Sequence, residues 1–367
     1  MGESTGIGWT HHTANFWWGC QRVSPGCEHC YAEHLAVVRR KLPVWGPPST
    51  TGRERKKGVW KDVPKWNAAA KADGVRRRMF VSSMADVFEA HPQVAPWRAE
   101  ALDLLADCDG LDVQLLTKRP ENIRAMVPPA WLLRDGWPSH VWVGTTVEDQ
   151  RRANERIPHL LNVPAPVRFL SCEPLLEAVD LTKWLPAGGA RWQCSGCRAF
   201  VHDSASRWSN DCPACGREKY LSGSHAANGR HQPLQWVIVG GESGPGARPF
   251  DLAWARSIVA QCDEAGVAVF VKQLGAQPVD SAKAAVHQPC MHERKPAIRT
   301  TIYAADAPEV AQARVDERNT ALRLAAPQVE HPLYLRGAYR IDDRAGADPA
   351  EWPKDLRRQS FPEASCA

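Results

Sequence analysis

Seven of the twelve cysteines in this 367-residue chain fall into two tight groups, a pattern that points to metal chemistry. Cys194, Cys197, Cys212 and Cys215 form two C-x2-C knuckles, which place four thiolates at the corners of the tetrahedron that Zn2+ prefers. Gly196 and Gly216 permit the tight turns this needs. The surrounding segment is too small to bury a core, so the metal would supply its folding energy. Four thiolates leave no open coordination position, so the expected role is structural; a rubredoxin-like iron site is the competitor. The other group, Cys20, Cys27 and Cys30, has the spacing C-x6-C-x2-C, with Ser24-Pro25-Gly26 folding the longer gap back. Three thiolates on one loop can hold three corners of a [4Fe–4S] cluster and leave the fourth iron for a non-protein ligand. Structural zinc would instead draw a fourth ligand from His29, His34, His11 or His12. Spacing alone leaves both readings open.

The elements that position these groups are short apolar, β-branched runs, each followed by a helical pattern. MFVSSM (79–84), LDVQLLT (111–117), HVWVGTTV (140–147), VRFLSC (167–172), QWVIVGG (235–241) and VAVFVKQ (267–273) read as strands. Near-continuous apolar strands alternating with helices indicate a parallel sheet covered by helices. Six such units, with a seventh strand at the N-terminus, suit an α/β fold built as a complete or partial (β/α) barrel; a flat doubly wound sheet is the alternative. The first part of the barrel spans 1–185, with the cysteine loop at 20–30. Residues 186–234 read as a zinc-ribbon insertion, 235–275 as the end of the barrel and 276–367 as an irregular, loosely packed C-terminal extension.

In a barrel the loops at the C-terminal strand ends converge on one mouth. The residues there are Ser82, Ser83, Met84 and Asp86; Thr117, Lys118 and Arg119; Thr145, Thr146, Glu148 and Asp149; Cys172 and Glu173; Gly240, Gly241, Glu242 and Ser243; and Lys272 and Gln273. Asp149 and Ser243 also suit helix caps. Lys118 and Arg119 suit an anionic partner, and Lys272 can pair with Glu173 or Glu242. Cys172 is a candidate hydrogen-atom donor, although a lone cysteine also serves as a small core residue. His287, Cys290 and His292 resemble a partial metal set and read as a polar loop.

Composition narrows the class. No run approaches the length of a membrane span, and the N-terminus has no charged segment followed by an apolar one, so a cytoplasmic protein without a membrane partner is expected. Net charge is +5, but RERKKGVWKDVPKW (53–66) and the arginines at 76–78 are locally very basic. Arginine and lysine interleaved with tryptophan can grip single-stranded nucleic acid; the same pattern also fits a solvated loop with its tryptophans in the core.

The run GC20-x-x-V-SPG-C-x-x-CYAE resembles the three-cysteine signature of a phage-associated, largely uncharacterised family whose core is similar to radical S-adenosylmethionine enzymes. VSSMADVF (81–88), LLTKRPENI (115–123), RFLSCEPLL (168–176), WVIVGGESGPGARP (236–249) and FVKQLG (270–275) extend the resemblance along the chain. It implies a [4Fe–4S] cluster on Cys20, Cys27 and Cys30, S-adenosylmethionine on the open iron, and an electron donor. One electron then cleaves the sulfonium, giving a 5′-deoxyadenosyl radical that abstracts hydrogen from substrate. Two departures stand out. The usual spacing is C-x3-C-x2-C, and the position before the last cysteine, commonly aromatic, is His29. A Gly-Gly-Glu element ordinarily follows the second strand; here Gly240-Gly241-Glu242 follows a late one. From the strand-end reading and this resemblance together, Lys118, Glu173, Cys172 and Lys272 are the catalytic candidates, and Gly240, Gly241, Glu242 and Glu148 the cofactor-binding ones.

The resulting expectation is an iron–sulfur enzyme acting on a nucleic-acid base or nucleotide, in modification or repair. A non-catalytic, zinc-stabilised nucleic-acid-binding protein and a radical enzyme acting on a small metabolite or peptide are the competing classes.

Overall fold

The structure is a computed structural model, and it describes residues 4–133, 135–186, 191–193, 200–202, 234–244, 246–281 and 347–362. The chain divides into two compact units, Met1–Pro278 with Arg340–Ala367, and Val279–Tyr339. The first unit carries everything below.

Its centre is a seven-stranded, strongly curled half-barrel of parallel strands. They are β1 (His12–Ala14), β2 (Arg77–Val81), β3 (Leu111–Thr117), β4 (Val141–Thr146), β5 (Arg168–Cys172), β6 (Trp236–Gly240) and β7 (Ala268–Gln273). Every strand lies beside its predecessor in sequence. A doubly wound sheet would reverse direction at a central switch point, so that alternative is excluded, and the sheet is compatible with a partial (β/α) barrel. Four long helices, α1 (Val59–Asp73), α2 (Val94–Ala106), α3 (Gln150–Leu161) and α4 (Leu252–Ala265), fall between strands. Asp149 caps α3 by accepting from the Arg152 amide at 2.6 Å, and Gly266 ends α4 in the left-handed conformation. No helix among the described residues is long and apolar enough to cross a membrane.

Side chains of successive strand residues alternate between faces. Phe80, Trp142, Phe169, Trp236, Ile238 and Phe270 point one way and form an aromatic core with Trp9. At Gly144, on that same face, a Cβ would lie 2.5 Å from the Phe169 ring, so only glycine lets the ring sit there.

The expected loosely packed C-terminal extension is corrected in part. Residues 358–360 run beside β7: the Val271 amide donates to the Arg358 carbonyl at 2.7 Å and the Ser360 amide to Val269 at 3.0 Å. Trp352 and Leu356 are buried, and Phe361 packs on Trp236 and Phe270 while Arg78 covers its other face at 3.7 Å. The tail thereby caps a sheet edge that would otherwise expose unpaired backbone.

Candidate functional site

The C-terminal strand ends open on a pocket of about 1210 Å³, counted out to solvent. Its floor is apolar, formed by Ile7, Trp9, Phe80 and Leu116, and its walls carry Ser82, Ser83, Thr146 and Ser171. Of the residues expected here, Cys20, Cys27, Cys30, Lys118, Glu173, Gly241, Glu242 and Lys272 all line it. Cys172, Gly240 and Glu148 do not.

Cys172 is corrected by strand alternation. Its neighbour Ser171 faces the pocket, so the Cys172 side chain points into the layer between sheet and helices, where it is fully buried. Burial pushes its thiol far up, away from the reactive thiolate. Gly240 is packed rather than open: a Cβ there would lie 3.3 Å from both Glu173 and Gln273. Glu148 is wholly buried, accepting from Arg156 at 2.6 Å and from the Gly26 amide at 3.4 Å. Burial alone would raise its carboxyl, but Arg156 and Lys118 outweigh that and hold it low. It therefore anchors the cysteine loop from behind.

That loop forms the rim. The Gly19 amide donates to the Met84 carbonyl at 3.0 Å and the Gly46 amide to the Cys20 carbonyl at 3.0 Å. Gly19 has φ +116°, and a Cβ would fall 2.3 Å from the Val44 carbonyl oxygen, so no other residue fits. Ser24-Pro25-Gly26 makes the expected turn, with the Cys27 amide donating to Ser24 at 2.9 Å. Cys30 starts the helical segment that runs through His34–Arg39. All three cysteines are free and half-buried. Burial pushes the Cys20 thiol up to about 12, with Arg119 opposing, and burial also raises Cys30.

No group of three or more His, Cys, Asp or Glu among the described residues is arranged to hold a metal ion. Three of the four histidines offered as a fourth zinc ligand have other engagements. His29 Nδ1 sits 3.0 Å from Glu242, His11 Nδ1 accepts from the Arg78 amide at 2.9 Å, His12 stacks on Trp66, and His34 is exposed. The second cysteine group, Cys194, Cys197, Cys212 and Cys215, lies outside the described residues, as do His287, Cys290 and His292.

Glu242 is the knot between the cysteine loop and the loop after β6. Arg248 donates to it through Nε at 3.0 Å, through Nη2 and through its backbone amide at 2.9 Å. The same guanidinium reaches Glu28 at 3.0 Å and the Pro25 carbonyl at 2.9 Å. Burial would raise the Glu242 carboxyl, yet hydrogen bonds from Arg248 and His29 win and hold it at about 2. Glu173 accepts from Lys272 at 2.6 Å and from Gln273 at 2.7 Å, so the expected lysine–glutamate pair is the one with Glu173.

Asp86, one of the residues expected at the strand ends, lines the pocket, and Glu89, which the strand-end pattern did not single out, is buried three residues further on. Asp86 accepts from Thr117 at 2.7 Å, from the Lys118 amide at 3.0 Å and from Arg119 at 2.9 Å. Glu89 binds Arg53 through two contacts of 2.8 Å, with the two side chains 2% and 0% exposed. Nothing local in the sequence signals that pair.

It also corrects the reading of the basic segment. Arg53 is buried; Arg55 pairs with Glu100 and covers Trp60; Lys56 pairs with Glu54 and covers Trp18; Trp66 is in the core. Arg76 and Arg77 pair with Asp112 and Asp73. These cations and rings make contacts within the fold, while Lys57, Lys61 and Lys65 of the same segment are exposed.

Comparison with curated proteins and with solved structures finds no match. A family model described as "Protein of unknown function (DUF5131)" matches residues 4–320, and since this span takes in most of the chain, including the strand ends and the cysteine rim, the protein belongs to that family.

Proposed function

We propose that the protein is an iron–sulfur enzyme of radical S-adenosylmethionine type, with a nucleotide or nucleic-acid base as its substrate. The observation that carries this reading is the gathering of Cys20, Cys27 and Cys30 on the rim of a pocket at the C-terminal ends of a curled parallel sheet. The chemistry of the donor set fits a cluster: three free thiols line the pocket together with the cations Arg119 and Lys118, which offset anionic charge. When bound there, such a cluster supplies the electron for reductive cleavage of S-adenosylmethionine.

The chain's own residues would bind and enclose. The apolar floor of Trp9, Phe80 and Leu116 suits a flat aromatic ring, and the hydroxyls of Ser82, Thr146 and Ser171 suit its polar edge. Lys118, which donates to Thr146 at 3.3 Å, has further N–H groups for a carboxylate or phosphate. The pairing of Arg53, Arg55 and Lys56 within the fold leaves less of that segment's charge for a long polymer and favours a free nucleotide or small anionic molecule.

Anaerobic reconstitution with iron and sulfide tests this. The expected product is brown, with absorbance near about 400 nm, and colourless once Cys20, Cys27 and Cys30 are each changed to alanine. Under reduction it should release 5′-deoxyadenosine from S-adenosylmethionine. A colourless wild-type protein that takes up zinc and no iron overturns the reading.

A further inference from the structure

We infer that Arg119 is a positioning residue that makes a cluster bound at Cys20 easier to reduce, by donating to the Cys20 sulfur. The inference rests on the proposed iron–sulfur reading. Arg119 Nη1 lies 3.6 Å from Cys20 Sγ, and Nη2 donates to the Gln21 carbonyl at 2.8 Å. The guanidinium therefore grips both the sulfur and the backbone beside it.

Its orientation is fixed from the far side. Nη1 also donates to Asp86 at 2.9 Å, Glu89 lies 3.6 Å from Nη2, and the Arg119 side chain is only 9% exposed. Glu89 is in turn locked by Arg53, whose guanidinium also donates to the carbonyls of Val44, at 3.1 Å, and Gly46, at 2.9 Å. Those two residues flank Trp45, the bridge partner of Cys20. An N–H aimed at a coordinating sulfur, in a site shielded from water, stabilises the form with more negative charge. Reduction adds one electron from a low-potential one-electron donor and makes the cluster one unit more negative. Arg119 favours that form, while Asp86 and Glu89 temper its charge.

The test is an electron-resonance-monitored redox titration of the full reconstituted chain, with dithionite as reductant and iron content measured in every sample. In Arg119→Met the ratio of reduced to oxidised cluster at a fixed potential should fall about tenfold, equivalent to about 59 mV for a one-electron couple. Arg119→Lys, which keeps a cationic donor, should fall between. Asp86→Asn should shift the ratio in the opposite sense, because the guanidinium is less neutralised. An Arg119→Met protein with wild-type iron content and an unchanged midpoint overturns the inference and leaves the cluster intact. If that variant loses its iron, Arg119→Lys and Asp86→Asn decide: midpoints that are unchanged, or that move in the same direction, overturn it. A wild-type chain that takes up no iron overturns both this inference and the reading beneath it.

Discussion

Replacing Arg248 with methionine should loosen the cysteine loop while leaving the sheet intact. The guanidinium ties Glu242, Glu28 and the Pro25 carbonyl together, so it fastens residues 25–28 to the loop after β6. Its strength follows from the Glu242 carboxyl, held at about 2 against an ordinary value of 4.5. That difference corresponds to about 3 kcal/mol at most. Arg248 is 25% exposed and so partly screened, and His29 and the backbone amide keep a share of the interaction. The expected loss is therefore about 2 kcal/mol, roughly thirtyfold in the local opening equilibrium.

Because the folded-state value lies below that of the opened loop, the contribution is full above about pH 4.5 and lost as pH falls toward about 2. Hydrogen exchange at the Cys27 and Glu28 amides, which donate to Ser24 and Pro25, reads the opening directly. After correction for intrinsic rates, the variant should exchange there about thirtyfold faster than wild type near pH 7, and by a clearly smaller factor near pH 3. A change under about threefold near pH 7, or one undiminished near pH 3, refutes the clamp.

Three further substitutions probe the scaffold. Arg53→Met leaves buried Glu89 with only the Arg119 guanidinium, at 3.6 Å, and should cost about 3 kcal/mol in urea denaturation; a loss below about 1 kcal/mol would show the pair to be incidental. Gly19→Ala places a methyl group against the Val44 carbonyl at a left-handed backbone position, so thermal melting should reveal a loss of at least about 2 kcal/mol. Cys172→Ala should cost about 1–2 kcal/mol as a small cavity and leave iron content and S-adenosylmethionine cleavage unchanged; lost cleavage with retained iron would return Cys172 to the chemistry.

The strands were legible because a buried parallel strand must be apolar on both faces, and β2 through β7 are such runs. Their consecutive order then places Lys118, Glu173, Glu242 and Lys272 around one mouth, since each lies within two residues of a strand's C-terminal end. What was not legible depends on parity and on distance along the chain. Position at a strand end does not say which face a residue takes, so Cys172 and Ser171 exchange roles once the sheet is seen. The tail joins β7 through backbone bonds and meets Trp236, Phe270 and Asp263 through Phe361 and Arg358, partners far away in the sequence, so no local pattern marks it. Arg53 and Glu89, and Arg248 and Glu28, meet across gaps of 36 and 220 residues, so the sequence does not show that Arg53 at the head of the basic run has a buried partner.

The same kind of pairing runs through the pocket. Among the described residues that line it, Arg22 faces Glu33, Arg119 faces Asp86 and Lys272 faces Glu173. Lys118 has no carboxylate within ion-pair distance among the described residues and reaches only the Thr146 hydroxyl. An ammonium in a half-buried wall keeps its charge most cheaply when an anion completes it. The carboxylates are already engaged: Glu242 with Arg248, Glu173 with Lys272, and Glu148, behind the rim, with Arg156. The mouth therefore holds Lys118, without a carboxylate partner among the described residues, beside the apolar lining of Trp9 and Phe80.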